Sequence, residues 1–193
     1  PSKSDALLKD GITFNILMNE LKKIDNDISR SEESDILSKL THHQLIGLKY
    51  FDDIEKRIPR EEIVKLERKL KRLVKQIDDK IEVNICGSYR RKKLESGDMD
   101  VLILHPDLKT DEEVEQSEKI YLLEIVEHLS KKKFLIDHLT ESGKTKYMGL
   151  CQFNKNYSVR RIDIRFIPYN SKAAAMLYFT GSGKFNTVMR AKA

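Results

Sequence analysis

The period of the hydrophobic residues changes near Asp79, and this change restricts the fold more than any other feature of the sequence. After Pro59, apolar residues recur every three or four positions over residues 63–77, as on one face of an amphipathic helix. Over residues 81–85 they alternate with polar residues, which is the pattern of a half-buried strand. The sequence therefore predicts an α+β fold, with a helical N-terminal part followed by a mixed β-sheet flanked by helices.

The same patterns predict the remaining elements. In the first third, a helix begins near Phe14 and ends near Ile24 or Ile28, a polar link occupies residues 31–34, and helical spacing resumes through Phe51. Further on, the patterns indicate strands at Met99–Leu104, 134–139, 146–153 and 159–167, a helix at 117–130, and short helices at 173–179 and 184–193.

Composition excludes several classes of protein. A length of 193 residues suits one or two domains. No run of 18 apolar residues occurs, so a membrane span is excluded, and no signal-peptide core is present. The net charge of +5 suits a partner that carries phosphates but does not establish one. With only Cys86 and Cys151, the chain has no disulfide framework or zinc motif, and a reducing compartment is expected.

Three aspartates stand out on the predicted strands. Asp98 and Asp100 are two positions apart, so on a strand their side chains point to the same face. Asp163 lies in an alternating segment, residues 161–165, with its charged residues on one face. If the two strands pair, three carboxylates converge, which is unfavourable unless a cation such as Mg²⁺ lies among them. The alternative is that each aspartate pairs with a nearby arginine or caps a turn.

A second motif, Gly87-Ser88 followed by two arginines, comes directly after the strand at residues 81–86. A Gly-Ser turn that opens a helix exposes backbone N–H groups and a hydroxyl to an anion, and Arg91 adds a two-pronged donor. Ser96-Gly97 provides another close backbone approach just before the paired aspartates. This order of strand, turn, basic helix and Asp-x-Asp suggests nucleotidyl transfer, in which a hydroxyl attacks an α-phosphate and pyrophosphate leaves.

The amphipathic helix after Pro59 also carries a strongly basic face. Its cationic residues are Lys65, Arg68, Lys69, Lys71, Arg72 and Lys75. A solvated helix face is the simplest interpretation of such a run.

These motifs resemble the palm of the family X DNA polymerases. The resemblance lies in Cys86-Gly-Ser-Tyr-Arg-Arg and Glu95-Ser-Gly-Asp-Met-Asp-Val, and it continues through residues 42–51, 56–62, 144–149, 160–165 and 177–182 to Asn186 and Arg190. It covers roughly residues 41–193, and the spacing of the three aspartates is consistent with it. The resemblance implies a helical remnant of a lyase and DNA-binding region at residues 1–57. A nucleotidyltransferase-type catalytic palm then occupies residues 58–170, and the start of a nucleotide-selection subdomain occupies residues 171–193.

The resemblance also implies a role for each matching residue. Asp98, Asp100 and Asp163 are the implied catalytic residues and metal ligands, with Asp163 helping to deprotonate the primer 3′-hydroxyl. The implied nucleotide-binding residues are Arg57, Ser88, Arg91, Ser96, Gly97, Tyr178, Phe179, Gly181 and Asn186. Tyr178 and Phe179 would line the sugar pocket, although packing in the core is a plain alternative for two adjacent aromatic residues. Arg161 would steady the primer terminus, and Asn186 and Arg190 would touch the minor-groove edges of the nascent pair and template.

The implied activity is gap filling in base excision repair, with two Mg²⁺ ions that Mn²⁺ could replace. The implied partners are gapped primer–template DNA and a dNTP, together with other base-excision-repair proteins. A monomer in the nucleus is expected from the resemblance alone.

The sequence departs from the family pattern in two regions. Residues 11–29 resemble only the first helix of the lyase domain, and neither its lysine-rich helix nor its Gly-x-Gly hairpins follow, as if an internal segment were deleted. The chain ends at Ala193, shortly after the start of the nucleotide-selection subdomain. One alternative is therefore a catalytically impaired, truncated isoform that binds DNA or repair partners. Another is a smaller nucleotidyltransferase, which the stretch at 177–182 and Arg161 disfavour.

Overall fold

The computed structural model describes residues 11–192, and the chain divides into two compact units, residues 1–52 and 53–193. Residues 1–10 of the predicted N-terminal region and Ala193 of the last predicted helix lie outside the described residues. The finer division at residues 57 and 170 stays a prediction. No helix among the described residues is long and apolar enough to cross a membrane.

The first unit is helical, as predicted. Helix α1, Phe14–Lys23, begins at the N-cap Thr13, and helix α2, His42–Lys49, begins at a capping box formed by Thr41 and Gln44. Short 3₁₀ helices at Ile28–Glu33 and Leu37–Lys39 connect them. Leu21, Ile24, Leu37, Leu45 and Leu48 form the core.

In this unit the structure decides between two predicted helix ends and corrects one further prediction. Helix α1 ends at Lys23 with Ile24 as its C-cap, in agreement with the predicted end near Ile24 and not with Ile28, because Asp25 and Asn26 adopt positive φ angles that a helix cannot contain. The predicted polar link at 31–34 lies largely within a 3₁₀ helix, and its two serines are buried. Ser34 donates a hydrogen bond to Glu20 at 2.6 Å, which satisfies its hydroxyl inside the unit.

The second unit contains the sheet, and helix α3, Phe51–Ile54, leads into it. Its strands are β1 Ile58–Pro59, β2 Glu82–Ile85, β3 Glu95–Ser96, β4 Met99–Leu104, β5 Leu135–His138, β6 Lys146–Cys151 and β7 Arg160–Phe166. Its helices are α4 Arg60–Val74, α5 Gly87–Arg90, α6 Asp111–Gln116, α7 Tyr121–Lys131, α8 Lys172–Thr180 and α9 Gly183–Lys192.

Five strands form one mixed sheet in the order β2-β4-β7-β6-β5. Strands β4 and β7 are parallel, and the other neighbours are antiparallel. This arrangement confirms the predicted α+β fold with a mixed sheet. The predicted strands are present but slightly shorter than expected. The two-residue pair β1–β3 was not predicted, because two residues carry no periodicity.

Helices α4 and α7 cover one face of the sheet. Their apolar stripes pack on Val101 and Ile103 of β4 and on Ile162 and Ile164 of β7 in a single buried core. Because side chains alternate along a strand, Asp100 and Asp163 point to the opposite face. The predicted helix at 117–130 begins only at Tyr121, and α6, which the sequence analysis missed, precedes it with a capping box of Thr110 and Glu113.

One ion pair lies inside the second unit. Arg160 at the start of β7 donates to both carboxylate oxygens of Glu62 on α4, at 2.8 and 2.7 Å. The two side chains are 6% and 8% exposed. Arg160 also donates to the carbonyl of Lys56 at 3.1 Å, so β7 and the chain preceding β1 are held together. Buried charges of this kind are tolerated when they are paired and hydrogen-bonded.

Candidate active site

Three carboxylates meet on the open face of the sheet. The parallel register of β4 and β7 pairs Asp100 with Asp163, and Asp98 lies just before β4. One carboxylate oxygen from each aspartate lies within 4.8 Å of those of the other two. The predicted convergence of the three residues is therefore confirmed, and it depends on the direct pairing of two strands that are far apart in sequence.

The electrostatics of this cluster disfavour three negative charges. Burial, and then the charges of Asp98 and Asp163, raise the pKa of Asp100 to about 6. Burial also raises the pKa of Asp163, although the charge of Arg161 opposes that effect. The carboxylate of Asp163 lies 3.8 Å from the Arg161 guanidinium. Its buried Oδ1 has no hydrogen-bond partner within residues 11–192.

This donor set fits a hard divalent cation. All three groups offer carboxylate oxygens, which Mg²⁺ prefers, and a cation among them would remove the mutual repulsion. The alternative prediction, in which each aspartate pairs with an arginine or caps a turn, holds in part for Asp163, whose Oδ1 lies 3.8 Å from the Arg161 guanidinium but accepts no hydrogen bond within residues 11–192.

The Gly87-Ser88 turn lies against the carboxylates. Gly87 has a φ of +58°, and a Cβ at this position would collide with Oδ2 of Asp100, so only glycine fits. Helix α5 begins at Gly87, as the motif predicts. Ser88 donates a hydrogen bond from its hydroxyl to that of Ser96 at 2.7 Å, which fixes the turn to β3.

A cavity of about 440 Å³ opens beside this turn. It is lined by Arg57, Gly87, Ser88, Arg91, Gly97, Asp98, Asp100, Tyr178, Phe179, Gly181, Gly183 and Asn186. A smaller adjoining space is lined by Asp100, Asp163, Arg165 and Phe179, among others. Most of the residues assigned to a nucleotide by the sequence analysis therefore share one cavity with the carboxylates.

The short pair β1–β3 brings Arg57 into the cavity. Ile58 pairs with Ser96, so Arg57 lies beside Gly97. A Cβ at Gly97 would lie 3.4 Å from Nη1 of Arg57, which is a tight contact. The segment before β1 therefore contributes a cation to the cavity, in addition to Arg91.

Helices α8 and α9 form the other wall. Tyr178 and Phe179 contact each other edge to face, with ring centroids 5.1 Å apart. Tyr178 is 46% exposed, so the alternative that it packs in the core is wrong. Asn186 donates from its amide to the carbonyl of Tyr178 at 2.8 Å, and its buried Oδ1 has no partner in the described part of the chain. Arg91 donates to the carbonyl of Thr180.

Four predicted site residues do not line the larger cavity. Asp163 lines the smaller adjoining space instead. Ser96 is only 1% exposed and reaches the site through its hydrogen bond with Ser88. Arg161 lies next to the carboxylates, and its buried Nε has no hydrogen-bond partner among residues 11–192. Arg190 lies on α9, with its guanidinium 5.8 Å from the Tyr178 ring.

The sequence analysis missed Arg165 as a site residue. Its guanidinium lies 5.1 Å from the Phe179 ring, and its charge offsets part of the rise that burial causes in the pKa of Asp100 and Asp163. The alternation in residues 161–165 already puts Arg165 on the same face as Asp163. Following that alternation one step further would have identified it.

A carboxylate triad on adjacent parallel strands, beside a strand–turn–helix and a cationic cavity, defines the fold and site of a nucleotidyltransferase palm. The family model for the DNA polymerase beta palm matches residues 57–169. The chain is also similar to DNA polymerase lambda of Rattus norvegicus, with 38% identity over 162 residues, covering 81% of this chain and 27% of that protein. It is 36% identical to DNA polymerase lambda of Arabidopsis thaliana over 160 residues, covering 78% of this chain and 29% of that protein.

The chain therefore belongs to family X of the DNA polymerases. This confirms the resemblance noted in the sequence. The matching family model is that of the DNA polymerase beta palm, and the two relatives described are DNA polymerases lambda, which also belong to family X. The chain spans less than a third of the length of these relatives.

Proposed function

We propose that this chain acts as a template-directed DNA polymerase that adds deoxynucleotides to a primer 3′-hydroxyl and fills short gaps in base excision repair. The observation that carries the proposal is the position of the carboxylate triad at the edge of a 440 Å³ cavity lined by Arg57, Ser88 and Arg91. Acidic ligands for metal ions and donors for phosphates are both needed for nucleotidyl transfer, and here they adjoin.

Magnesium is the cation that we assign to the triad, with manganese as a substitute. Asp98 and Asp100 would hold two ions and Asp163 one of them. Bound metal ions would supply Lewis-acid stabilisation of the charge that develops at the phosphate and would favour ionisation of the primer hydroxyl. The chain's own contribution is to hold three carboxylates in place, with Asp98 just before β4, Asp100 on β4 and Asp163 on the neighbouring strand β7. Oδ1 of Asp163, which accepts no hydrogen bond within residues 11–192, would accept the proton of that hydroxyl.

The triphosphate of an incoming dNTP would occupy the cavity. Ser88 and the backbone at Gly97 would donate hydrogen bonds to its oxygens, and Arg57 and Arg91 would add charge-assisted ones. Arg91 donates to the carbonyl of Thr180 without a nucleotide. A phosphate would compete for that guanidinium, and so would link nucleotide binding to the end of α8.

The sugar and base would lie against α8 and α9. Tyr178 and Phe179, followed by Gly181, form the wall where a ribose 2′-hydroxyl would meet the chain. Asn186 would face the nascent base pair, since its buried Oδ1 has no partner among the described residues. Arg161 would steady the primer terminus beside Asp163, and Arg190 would contact the template strand.

The partners and location follow from the same proposal. The chain would bind gapped primer–template DNA as a monomer in the nucleus and would work with other base-excision-repair proteins. DNA binding should weaken steeply with salt, because lysine and arginine release counterions from phosphates.

The test is extension of a fluorescent primer by one nucleotide across a one-base gap with Mg²⁺. The wild-type chain should extend the primer, and Asp163→Asn should lower the rate by at least about a thousandfold, since it removes both a metal ligand and the proton acceptor. Asp79→Asn is the matched control, because Asp79 is an exposed aspartate outside the cavity. It should retain the wild-type rate.

Circular dichroism shows whether each protein is folded. A folded wild-type chain that binds gapped DNA but does not extend it would contradict the proposal and favour the DNA-binding, non-catalytic alternative. Extension that survives Asp163→Asn unchanged would contradict the assigned role of the triad.

A further inference from the structure

A second pocket, of about 500 Å³, lies at the edge of the sheet on the side covered by helices. Four lysines line it, and we call it the lysine pocket: Lys69 of α4, Lys132 and Lys133 just after α7, and Lys155 in the loop between β6 and β7. None of the residues that line it is acidic. The predicted solvated face is confirmed for five of the six cationic residues of that run, which are exposed: Lys65, Arg68, Lys71, Arg72 and Lys75. Lys69 is the exception, because it is half-buried and lines this pocket.

Lys69 occupies the inner part of the pocket. It is half-buried, and its ammonium group lies 5.7 Å from the Phe134 ring centroid and 5.5 Å from that of Phe153. It donates a hydrogen bond to the carbonyl of Phe153. Burial, and next the charge of Arg72, lower the pKa of Lys69.

An ammonium in this position has unused binding capacity. It carries three donors, of which the Phe153 carbonyl takes one. A partly desolvated cation without a counter-anion is costly, and an incoming carboxylate or phosphate would reduce that cost. Lys132, Lys133 and Lys155 are exposed at the rim and add positive potential over the opening.

The lysine pocket is separate from the active site. It shares no lining residue with the carboxylate cavity. Lys69 lies on α4, which packs on the face of the sheet opposite Asp100 and Asp163. A nucleotide or primer terminus bound at the carboxylates would therefore leave this pocket free for another molecule.

The floor of the pocket favours a peptide over a nucleic acid. The partly exposed ring of Phe153, beside the nearly buried Leu135, provides apolar surface that an apolar peptide side chain can cover. Leu135 begins β5, the last strand in the sheet order, and no other strand pairs with its outer edge in residues 11–192. An exposed edge can accept an extended segment, and flanking lysines repel another copy of this basic chain while attracting an acidic one.

We propose that the lysine pocket binds an extended acidic segment of a partner protein, which places a carboxylate at Lys69 and apolar side chains against Leu135 and Phe153. The rim lysines contact further carboxylates of the same segment. The site therefore gives this polymerase chain a protein-docking surface that remains accessible while DNA is bound.

The test uses a fluorescein-labelled octapeptide of alternating glutamate and leucine, with binding followed by fluorescence anisotropy on the full chain. Lys69→Met should weaken binding about tenfold, because it removes a partly buried, charge-assisted hydrogen bond while keeping most of the side-chain volume. Lys75→Met at the C-cap of the same helix is the matched control, since Lys75 is exposed and does not line the pocket. It should change the affinity by less than about twofold.

A second variant tests the rim without disturbing the core. Lys132→Gln/Lys133→Gln alters exposed residues only and should weaken binding several-fold, whereas Lys131→Gln, just outside the lining, should not. Primer extension should be unchanged in all four variants.

Three outcomes would overturn the proposal. The first is absence of saturable peptide binding, and the second is equal affinity for Lys69→Met and Lys75→Met together with no effect of the rim variant. The third is displacement of the peptide by a single-stranded thymidine octamer that binds more tightly and is equally sensitive to Lys69→Met, which would identify a nucleic-acid site instead. Inorganic phosphate, added at the same concentration of negative charge as the thymidine octamer, should not displace the peptide.

Discussion

Asp100 of β4 lies directly opposite Asp163 of β7 in the parallel register of the sheet. Two carboxylates on adjacent parallel strands, with Asp98 close by, repel one another in the absence of a cation. The chain therefore sacrifices some stability at this position in order to present a group of oxygen ligands, which is common at functional sites.

The first prediction concerns this repulsion. The pKa of Asp100 is raised to about 6 in the folded, metal-free chain, compared with about 3.9 for an ordinary aspartate. Because this pKa is higher in the folded than in the unfolded chain, the contribution of Asp100 to the free energy of unfolding is favourable at low pH. That contribution is lost as the pH rises through about 6. Near pH 8 with chelator, Asp100→Asn should therefore stabilise the second unit by about 1–2 kcal/mol, and this gain should vanish below about pH 4.

Thermal unfolding followed by circular dichroism measures the effect. Adding Mg²⁺ should raise the melting temperature of the wild type and much less that of Asp100→Asn, because binding to the native state stabilises it. Asp79→Asn is the control and should behave as wild type at every pH. A gain in the Asp100→Asn variant that is the same at low and high pH would contradict the electrostatic explanation.

The second prediction concerns Gly87. Its φ of +58° and the proximity of Asp100 exclude a side chain, so Gly87→Ala should lower the free energy of unfolding by about 2 kcal/mol or more. Gly47→Ala in α2 is the contrasting case, since a Cβ there meets nothing within 4 Å. It should be neutral or stabilising by up to about 1 kcal/mol. The free energy of unfolding of both variants, measured by urea denaturation, tests this prediction. Equal losses of stability in the two variants would contradict the steric argument.

The third prediction concerns the buried pair of Glu62 and Arg160. Glu62→Gln leaves the guanidinium without its counter-charge inside the protein, and we expect a loss of about 3 kcal/mol in the free energy of unfolding. The neighbouring Glu61 is exposed, and Glu61→Gln should cost less than about 0.5 kcal/mol. If chemical denaturation gives similar values for the two variants, the ion pair does not stabilise the fold.

The fourth prediction concerns the start of α8. Glu82 of β2 accepts hydrogen bonds from Lys172 and, at 2.9 Å, from the hydroxyl of Tyr169. These contacts lower the pKa of Glu82, with Lys172 as the main cause. The helix that Lys172 begins carries Tyr178 and Phe179, so Glu82 anchors one wall of the cavity to the sheet.

Glu82→Gln should lower stability near pH 7 by less than about 1 kcal/mol, since the pair is partly exposed. A carboxylate whose pKa is lowered by folding stabilises the folded chain at pH values above the ordinary pKa of a glutamate, and this stabilisation is lost as the pH falls. The difference in stability between Glu82→Gln and the wild type should therefore disappear below about pH 4. Thermal melts across pH measure this, with Glu127→Gln on α7 as an exposed control. A difference that persists at low pH would indicate lost packing instead of lost charge.

Much of the sheet could be predicted from local pattern. Strand β4 lies at the predicted residues because Met99–Leu104 is a short apolar run preceded by a glycine turn. The alternation around Asp163 predicted which side chains face the core. The turn at Gly87 was predictable because a glycine directly after a predicted strand is suited to the positive φ that such a turn adopts.

Other features depend on contacts between distant parts of the chain. The pairing of Ile58 with Ser96, which brings Arg57 into the cavity, involves two-residue strands without a period. The ion pair of Glu62 and Arg160 joins helix α4 to strand β7, and the two residues are 98 positions apart in the sequence. The lysine pocket likewise brings together residues from α4, α7 and the loop after β6. No local pattern indicates such contacts.

The sequence by itself determined the helical and extended segments, the buried face of each strand and the chemical types of the site residues, because these depend on the period of neighbouring side chains. Only the tertiary structure decided that β4 and β7 lie side by side and parallel, so that Asp163 joins Asp98 and Asp100. The physical reason is that strand order depends on how the apolar side chains of the strands are buried together beneath α4 and α7. This burial involves the whole core, so it cannot be read from any single segment of the chain.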